Sequence, residues 1–168
     1  MAWHFLPPDR KFRYGDGNIA EAGYTYTVEP PLHPCHWGLH FCVRALDGLL
    51  YAPGSIIGRV EISGKVIRQK DKGCATERTY LWIAEAAEIL WDARNWAGDE
   101  RTSSAYAHAE APITSHRYAP SYARDYTRAY ARAYSYPGTN SYDAIRTTQN
   151  AELERRLLAL HPNQRTTS

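Results

Sequence analysis

Apolar and polar positions alternate over much of the first hundred residues, then recur in threes and fours toward the end of the chain. Trp3, His4, Phe5 and Leu6 predict a short strand, closed by Pro7 and Pro8. Ala22 to Val28 alternates, with Tyr24, Tyr26 and Val28 on one face and Thr25 and Thr27 on the other; Pro30, Pro31 and Pro34 end it. Gly38 to Val43 predicts another strand, followed by helical turns over Ala45–Leu50 and a turn at Pro53 and Gly54. Ser55–Ser63 and Lys65–Gln69 are β-rich runs on either side of Gly64 and predict a hairpin there. Thr79–Ile83 is one more strand, and Ala84–Ala97 has helical propensity with Gly98 as its stop. Strands first and helices after is an α+β pattern.

From residue 115 the chain reads in fours. Tyr118, Tyr122, Tyr126, Tyr130 and Tyr134 share that spacing, and so do Arg124, Arg128 and Arg132. Pro120 suits the first turn of a helix and Pro137 with Gly138 stops it, which predicts a helix over 120–135. Four residues turn about 400° on a helix, so each row drifts only about 40° per step. Tyrosines therefore line one face and arginines lie nearly opposite. A last helix is expected over Ser141–Leu160, capped by Asn140 or Ser141, with Pro162 beyond its end. Its apolar stripe would be Ile145, Leu153, Leu157, Leu158 and Leu160 with Ala151, and Glu152 and Glu154 would face Arg155 and Arg156. The fold class expected is α+β: a small mixed or antiparallel sheet domain followed by a C-terminal helical hairpin. That hairpin would pack on the sheet or pair two copies into a homo-oligomer.

Composition sharpens the division. The 168 residues carry 20 Lys+Arg and 18 Asp+Glu, yet residues 1–100 hold 11 basic and 13 acidic side chains and residues 101–168 hold 9 and 5. All four lysines lie in the first part, and eight of the 13 tyrosines lie in the second. This predicts a strand-rich α+β domain over 1–98 and an Arg/Tyr-rich helical segment over 99–168 packed on it, with the boundary near Gly98–Ser104. No apolar run approaches the roughly 20 residues of a membrane helix, and no signal peptide is visible at the start. Three cysteines, an odd number, favour a reducing compartment over a disulfide framework, so a cytoplasmic setting is expected.

The densest run of reactive side chains holds His33, Cys35, His36, His40 and Cys42. Thiolate and imidazole suit zinc, but there is no Cys-x-x-Cys pair and Cys74 stands apart, so a structural strand with a buried cysteine is the expectation and no metal site is assigned. Cys42 as a nucleophile would need a lowered pKa for which the sequence offers no cause. Gly15, Gly17, Gly54, Gly58 and Gly64 form neither a phosphate loop nor a dinucleotide fingerprint.

Residues 3–90 resemble an uncharacterised family of phages and bacterial prophages. The features carrying this are the aromatic/His start, Gly23-Tyr24, a Gly-Phe-His-Ala-Cys-like core at Gly38-Leu39-His40-Phe41-Cys42, the strand Gly58–Ile62, and Asp71-Lys72. Its Gln-Asn-x-x-Leu-Glu-type C-terminal helix is matched by Gln149-Asn150-Ala151-Glu152-Leu153-Glu154. The resemblance implies a phage or prophage origin and the cytoplasm of a bacterial host. A fainter resemblance is to the ADP-ribosyltransferase fold, carried by His4 on the first strand, Gly38-Leu39-His40-Phe41, and Tyr51 thirteen positions after Gly38. It implies NAD as cofactor, His4 holding the nicotinamide ribose, Tyr51 stacking on nicotinamide, and Glu61 or Glu77 stabilising the developing oxocarbenium ion. This sequence departs from that pattern at Phe5-Leu6 and at His40, and neither glutamate is clearly placed.

Two functions follow. One is an accessory protein binding a host protein or nucleic acid through Arg124, Arg128 and Arg132, with arginine on phosphates and tyrosine stacking on bases or anchoring a protein partner. The other is an NAD-dependent ADP-ribosyltransferase-like enzyme with His4, Tyr51 and Glu61 as its site. The binding reading is the main expectation, with the tyrosine face packed on the protein's own sheet.

Overall fold

A strand with apolar residues on both faces must be covered on both, and the first strand is. The computed structural model describes residues 1–13, 17–98, 118–135 and 141–162. In β1 (Ala2–Leu6), Trp3 and Phe5 enter one core and Ala2 and Leu6 a second, with His4 on the second side. β2 (Thr25–Thr27) and β3 (Leu39–Phe41) are short, and α1 spans Ala45–Gly48. Two long strands, β4 (Ile56–Arg68) and β5 (Gly73–Glu85), carry the sheet. All pairs are antiparallel in the order β1-β4-β5-β2, and β3 joins β5 beyond the end of β2. The sheet then curls: Trp3 and Cys42 exchange backbone hydrogen bonds at 2.8 and 2.9 Å, so the chain leaving β3 meets β1 across an enclosed space. The α+β expectation holds, with an antiparallel sheet.

The hairpin is not where the glycine pattern placed it. Gly64 lies inside β4 at φ +69°, where the register shifts between Ser63 and Val66, so it makes a bulge and the strand continues. The turn is at residues 69–72, closed by Gln69 N–H donating to Lys72 C=O at 2.8 Å. The strand expected over Thr79–Ile83 is correspondingly longer. It consumes the start of the expected helix, because Ala84 and Glu85 still pair with Ile57 and Ile56. The remainder forms two short helices, α2 (Ala87–Trp91) and α3 (Ala93–Trp96), broken at Asp92. Gly58 of β4 makes room for the Tyr80 ring on the neighbouring strand: a Cβ there would lie 2.6 Å from it.

α4 (Ala119–Tyr134) and α5 (Tyr142–Leu158) match the expected helices closely, and Ser141 caps α5 by accepting from the Ala144 amide. The face that α4 buries differs from the expectation. Ala119, Ala123, Thr127 and Ala131 form the buried row; Tyr122, Tyr126, Tyr130 and Tyr134 make a half-buried flank, with Tyr122 5.0 Å from Trp91, and Tyr118 is exposed. Small side chains let the helix approach closely, and bulky rings fit only at the side. On α5 the buried line is Arg146, Gln149, Leu153 and Leu157, whereas Leu158 and Ala151 are exposed. Polar groups are tolerated inside because they are matched: Gln149 Nε2 donates to Ala97 C=O at 2.8 Å and Thr127 C=O at 3.1 Å, and Arg146 Nη1 donates to Thr127 Oγ1 at 2.9 Å.

One core runs through both compositional halves. Trp3, Phe5, Ile57, Trp82, Leu90 and Trp96 meet Ala119, Ala123, Leu153 and Leu157. The expected boundary at Gly98–Ser104 falls, except for Gly98, outside the described residues. The Gln-Asn-x-x-Leu-Glu motif does the docking. Asn150 Oδ1 accepts from the Leu46 amide, and Glu154 Oε1 accepts from the Ala45 amide and the Trp3 indole, all at 3.0 Å. α1 has no side-chain cap of its own, so α5 supplies one. No helix among the described residues is long and apolar enough to cross a membrane.

Candidate ligand pocket

Closing β3 against β1 leaves a cavity of about 180 Å³ between them, with β5 behind and the segment around Phe12 in front. That is smaller than the roughly 300–1,000 Å³ of clefts that enclose a drug-sized ligand, so it takes only part of such a ligand, a ring and one charged group at most. His4 reaches it from β1, His40 from β3, Arg78 from β5, and Tyr51 and Lys72 from the loops after α1 and β4. Lys11 and Arg13 complete a basic lining, and no carboxylate is among the described residues that line it.

Each group is held. His4 Nδ1 and Tyr80 Oη share a hydrogen bond of 2.7 Å. Burial, then the neighbouring charges of Arg78 and His40, hold the His4 pKa well below its ordinary value, so the ring is neutral. Burial also pushes the Tyr80 phenol up to about 12. His40 Nε2 accepts from the Cys35 amide at 2.9 Å, which leaves Nδ1 to carry the proton of its neutral form. Its pKa is likewise lowered, first by burial and then by Arg78 and Lys72. Arg78 is 2% exposed; its Nη1 donates to His40 C=O at 2.6 Å, and its guanidinium lies 4.9 Å from the Phe12 ring centre and 5.0 Å from that of Tyr80. Tyr51 donates to Asp71 Oδ2 and lies beneath the Lys72 ammonium, 4.3 Å from its ring centre.

The sequence-predicted residues separate here. His4 and Tyr51 line the same cavity. Glu61 is exposed on β4, and Glu77 accepts from Ser63 Oγ at 2.8 Å farther along the hairpin; neither lines the cavity. Among the described residues, Asp71 meets the site indirectly, by accepting from the Tyr51 hydroxyl. Cys42 is buried, and burial with Asp47 and Asp71 nearby pushes its thiol up to about 12, so it is no nucleophile. Among the described residues no three His, Cys, Asp or Glu side chains cluster with metal-binding geometry; His36 and Cys35 are exposed. On α4, Arg124 forms a two-pronged bond to Asp125 at 2.8 and 3.1 Å, Arg128 is half-buried, and Arg132 is exposed. Arg78 and Tyr80 were missed by sequence reasoning. The signal was parity: Arg78 shares its strand face with Tyr80, a position for a buried residue.

A family profile described as a domain of unknown function, DUF7666, matches residues 9–92. The chain belongs to the DUF7666 family. No curated protein and no solved structure matches it. The DUF7666 segment supplies Lys11, His40, Tyr51, Lys72 and Arg78 to the pocket, while His4 on β1 precedes it and α4 and α5 follow it. The pocket of this DUF7666 protein is thus completed by a strand from outside the matched segment.

The histidines give stability a defined pH dependence. In the unfolded chain both take up a proton near their ordinary value of 6.5, but in the fold both resist it. The unfolded state therefore binds more protons below that value. Stability from this source is full above it and falls as pH drops toward the lowered folded-state values. The urea midpoint is expected to fall between about pH 7.5 and about pH 5.5, with His4→Gln flattening the slope. An unchanged slope in that variant would show that His4 is not the buried titrating group.

Proposed function

We propose that this protein is a binder of a nicotinamide-nucleotide-class ligand, which it takes into the pocket between β1, β3 and β5. The observation that carries this is the joint presence of His4 and Tyr51 in one cavity with a basic lining. The ADP-ribosyltransferase resemblance assigned those residues to ribose and nicotinamide, and they are distant in sequence. A planar ring suits an aromatic lining, and a nucleotide's charge suits Lys11, Arg13 and Lys72. Transfer chemistry has less support. Stabilising an oxocarbenium ion calls for a carboxylate at the ribose, and Glu61 and Glu77 both lie elsewhere. Binding without turnover is the reading favoured, within an accessory protein of phage or prophage origin.

The arginine row is a weaker alternative for a macromolecular partner. Arg124 is engaged by Asp125, and the tyrosines that would accompany it are on the opposite flank, partly spent on Trp91. Calorimetric titration of the purified protein with NAD separates the two. Saturable binding is expected, weakened about tenfold by Tyr51→Ala and untouched by joint Arg124, Arg128 and Arg132→Ala substitution. NAD recovered afterwards is expected to be intact. No saturable heat at millimolar NAD, or equal affinity in Tyr51→Ala, would overturn the proposal.

A further inference from the structure

Arg78 is a cation without a counter-charge among the described residues. Arg78 is 2% exposed, and among the described residues its guanidinium has no carboxylate partner and its Nε–H no hydrogen-bond acceptor. A guanidinium keeps its proton in proteins, so burial cannot discharge it. An isolated buried charge is costly, and a buried donor left unmatched adds to the cost. Most buried arginines meet that cost with a carboxylate. Arg78 instead has one carbonyl, from His40, and two aromatic rings. Nearby cations make the deficit larger: Lys11, Arg13 and Lys72 line the same cavity, and the neutral His4 and His40 rings supply no counter-charge.

We propose that Arg78 is the receptor for an oxyanion at the floor of the pocket, and that the ligand presents a phosphate-class group there. The guanidinium has its Nη1 edge committed to the sheet through His40 and its Nε–H uncommitted. A planar fork of donors matches the oxygens of a phosphate better than a point charge does. The Phe12 and Tyr80 rings fix the fork's plane, so little side-chain freedom is lost on binding. His40 contributes by position as well: its backbone carbonyl holds Arg78 and its side chain lines the same cavity. Phosphate and carboxylate share this chemistry. The cationic surroundings, with no carboxylate among the described lining residues, favour the more highly charged phosphate.

This rests on the pocket being a ligand site and does not require the ligand to be a nicotinamide nucleotide. The test uses the Nε–H signals of arginine in the ¹⁵N-labelled full-length protein. The Arg78 signal is identified by its loss in Arg78→Lys. Inorganic phosphate is titrated at constant ionic strength, and acetate in a second arm. The Arg78 signal is expected to move saturably with phosphate while that of exposed Arg132 stays in place. Arg78→Lys is expected to weaken phosphate binding about tenfold, as a fork reduced to a point charge would. Saturation by acetate at lower concentration would overturn the phosphate assignment. An Arg78 signal unmoved by either anion, or drifting with all the others, would overturn the oxyanion site. If Arg78→Lys fails to fold, the Arg78 signal is assigned in the wild-type protein by correlating each arginine Nε–H with its own backbone amide, and the wild-type titrations with phosphate and acetate still decide the proposal. Saturation by phosphate with no response to NAD would sink the nicotinamide reading and leave this one standing.

Discussion

Truncating Leu153 to Ala is expected to lower stability by about 2–5 kcal/mol, a large share of what a domain of this size has. Leu153 is fully buried on α5, in the core cluster that includes Trp3 and Phe5 from β1 and Leu90 from α2. Its removal leaves a hole that fixed neighbours on three elements cannot readily fill. Because that core joins residues from both ends of the chain, one transition is expected for the whole molecule. Tryptophan fluorescence and far-ultraviolet circular dichroism should lose their native signals at the same urea concentration. A shift below about 0.5 kcal/mol, or two separated transitions, would mean that the C-terminal helix is a loosely attached segment.

Glu154→Ala is expected to cost about 2–4 kcal/mol through polar groups alone. One oxygen, Oε1, accepts from the Trp3 indole and from the Ala45 amide at the start of α1. Trp3 is 1% exposed, so its N–H has no ready route to water once the acceptor is gone. The buried first turn of α1 would lose half of the capping that α5 provides. Glu154→Gln separates hydrogen bonding from charge, since its amide oxygen can accept both bonds. It should recover more than half of the loss. It will not recover all of it, because the Glu154 charge also favours the Arg59 guanidinium that lies 4.3 Å over the Trp3 ring. Equal midpoints for the Ala and Gln variants in urea would show that charge, and not the bonds, is what Glu154 contributes.

The helices were legible because their signals are local. Pro120 at the start of α4, Ser141 before α5 and the four-residue spacing all report on a single turn of chain. What α4 buries was not legible, because an Ala/Thr row gains from close approach to a partner that the sequence does not locate. The β4–β5 hairpin was misplaced for a related reason. A glycine flanked by β-formers fits a turn and a bulge equally well, and only the pairing of Val66 with Ala75 decides between them. Of the site, His4 and Tyr51 were named from a resemblance and the structure brings both to the pocket. Arg78 was invisible while β5 was read as starting at Thr79. Extending that strand back to Gly73 puts Arg78 on the inward face beside Tyr80. Glu61 and Glu77 are also strand residues, but exposure and the Ser63 bond place them away from the cavity.

The pocket and the arginine row of α4 make opposite demands on where a nucleotide sits, and a crystal of the full chain soaked in NAD distinguishes them directly. Difference density is expected in the cavity, with a ring near Tyr51 and an oxyanion within about 3 Å of Arg78 Nε. An empty cavity in the presence of saturating NAD, or density on Arg128 and Arg132 alone, would contradict the pocket as the functional site.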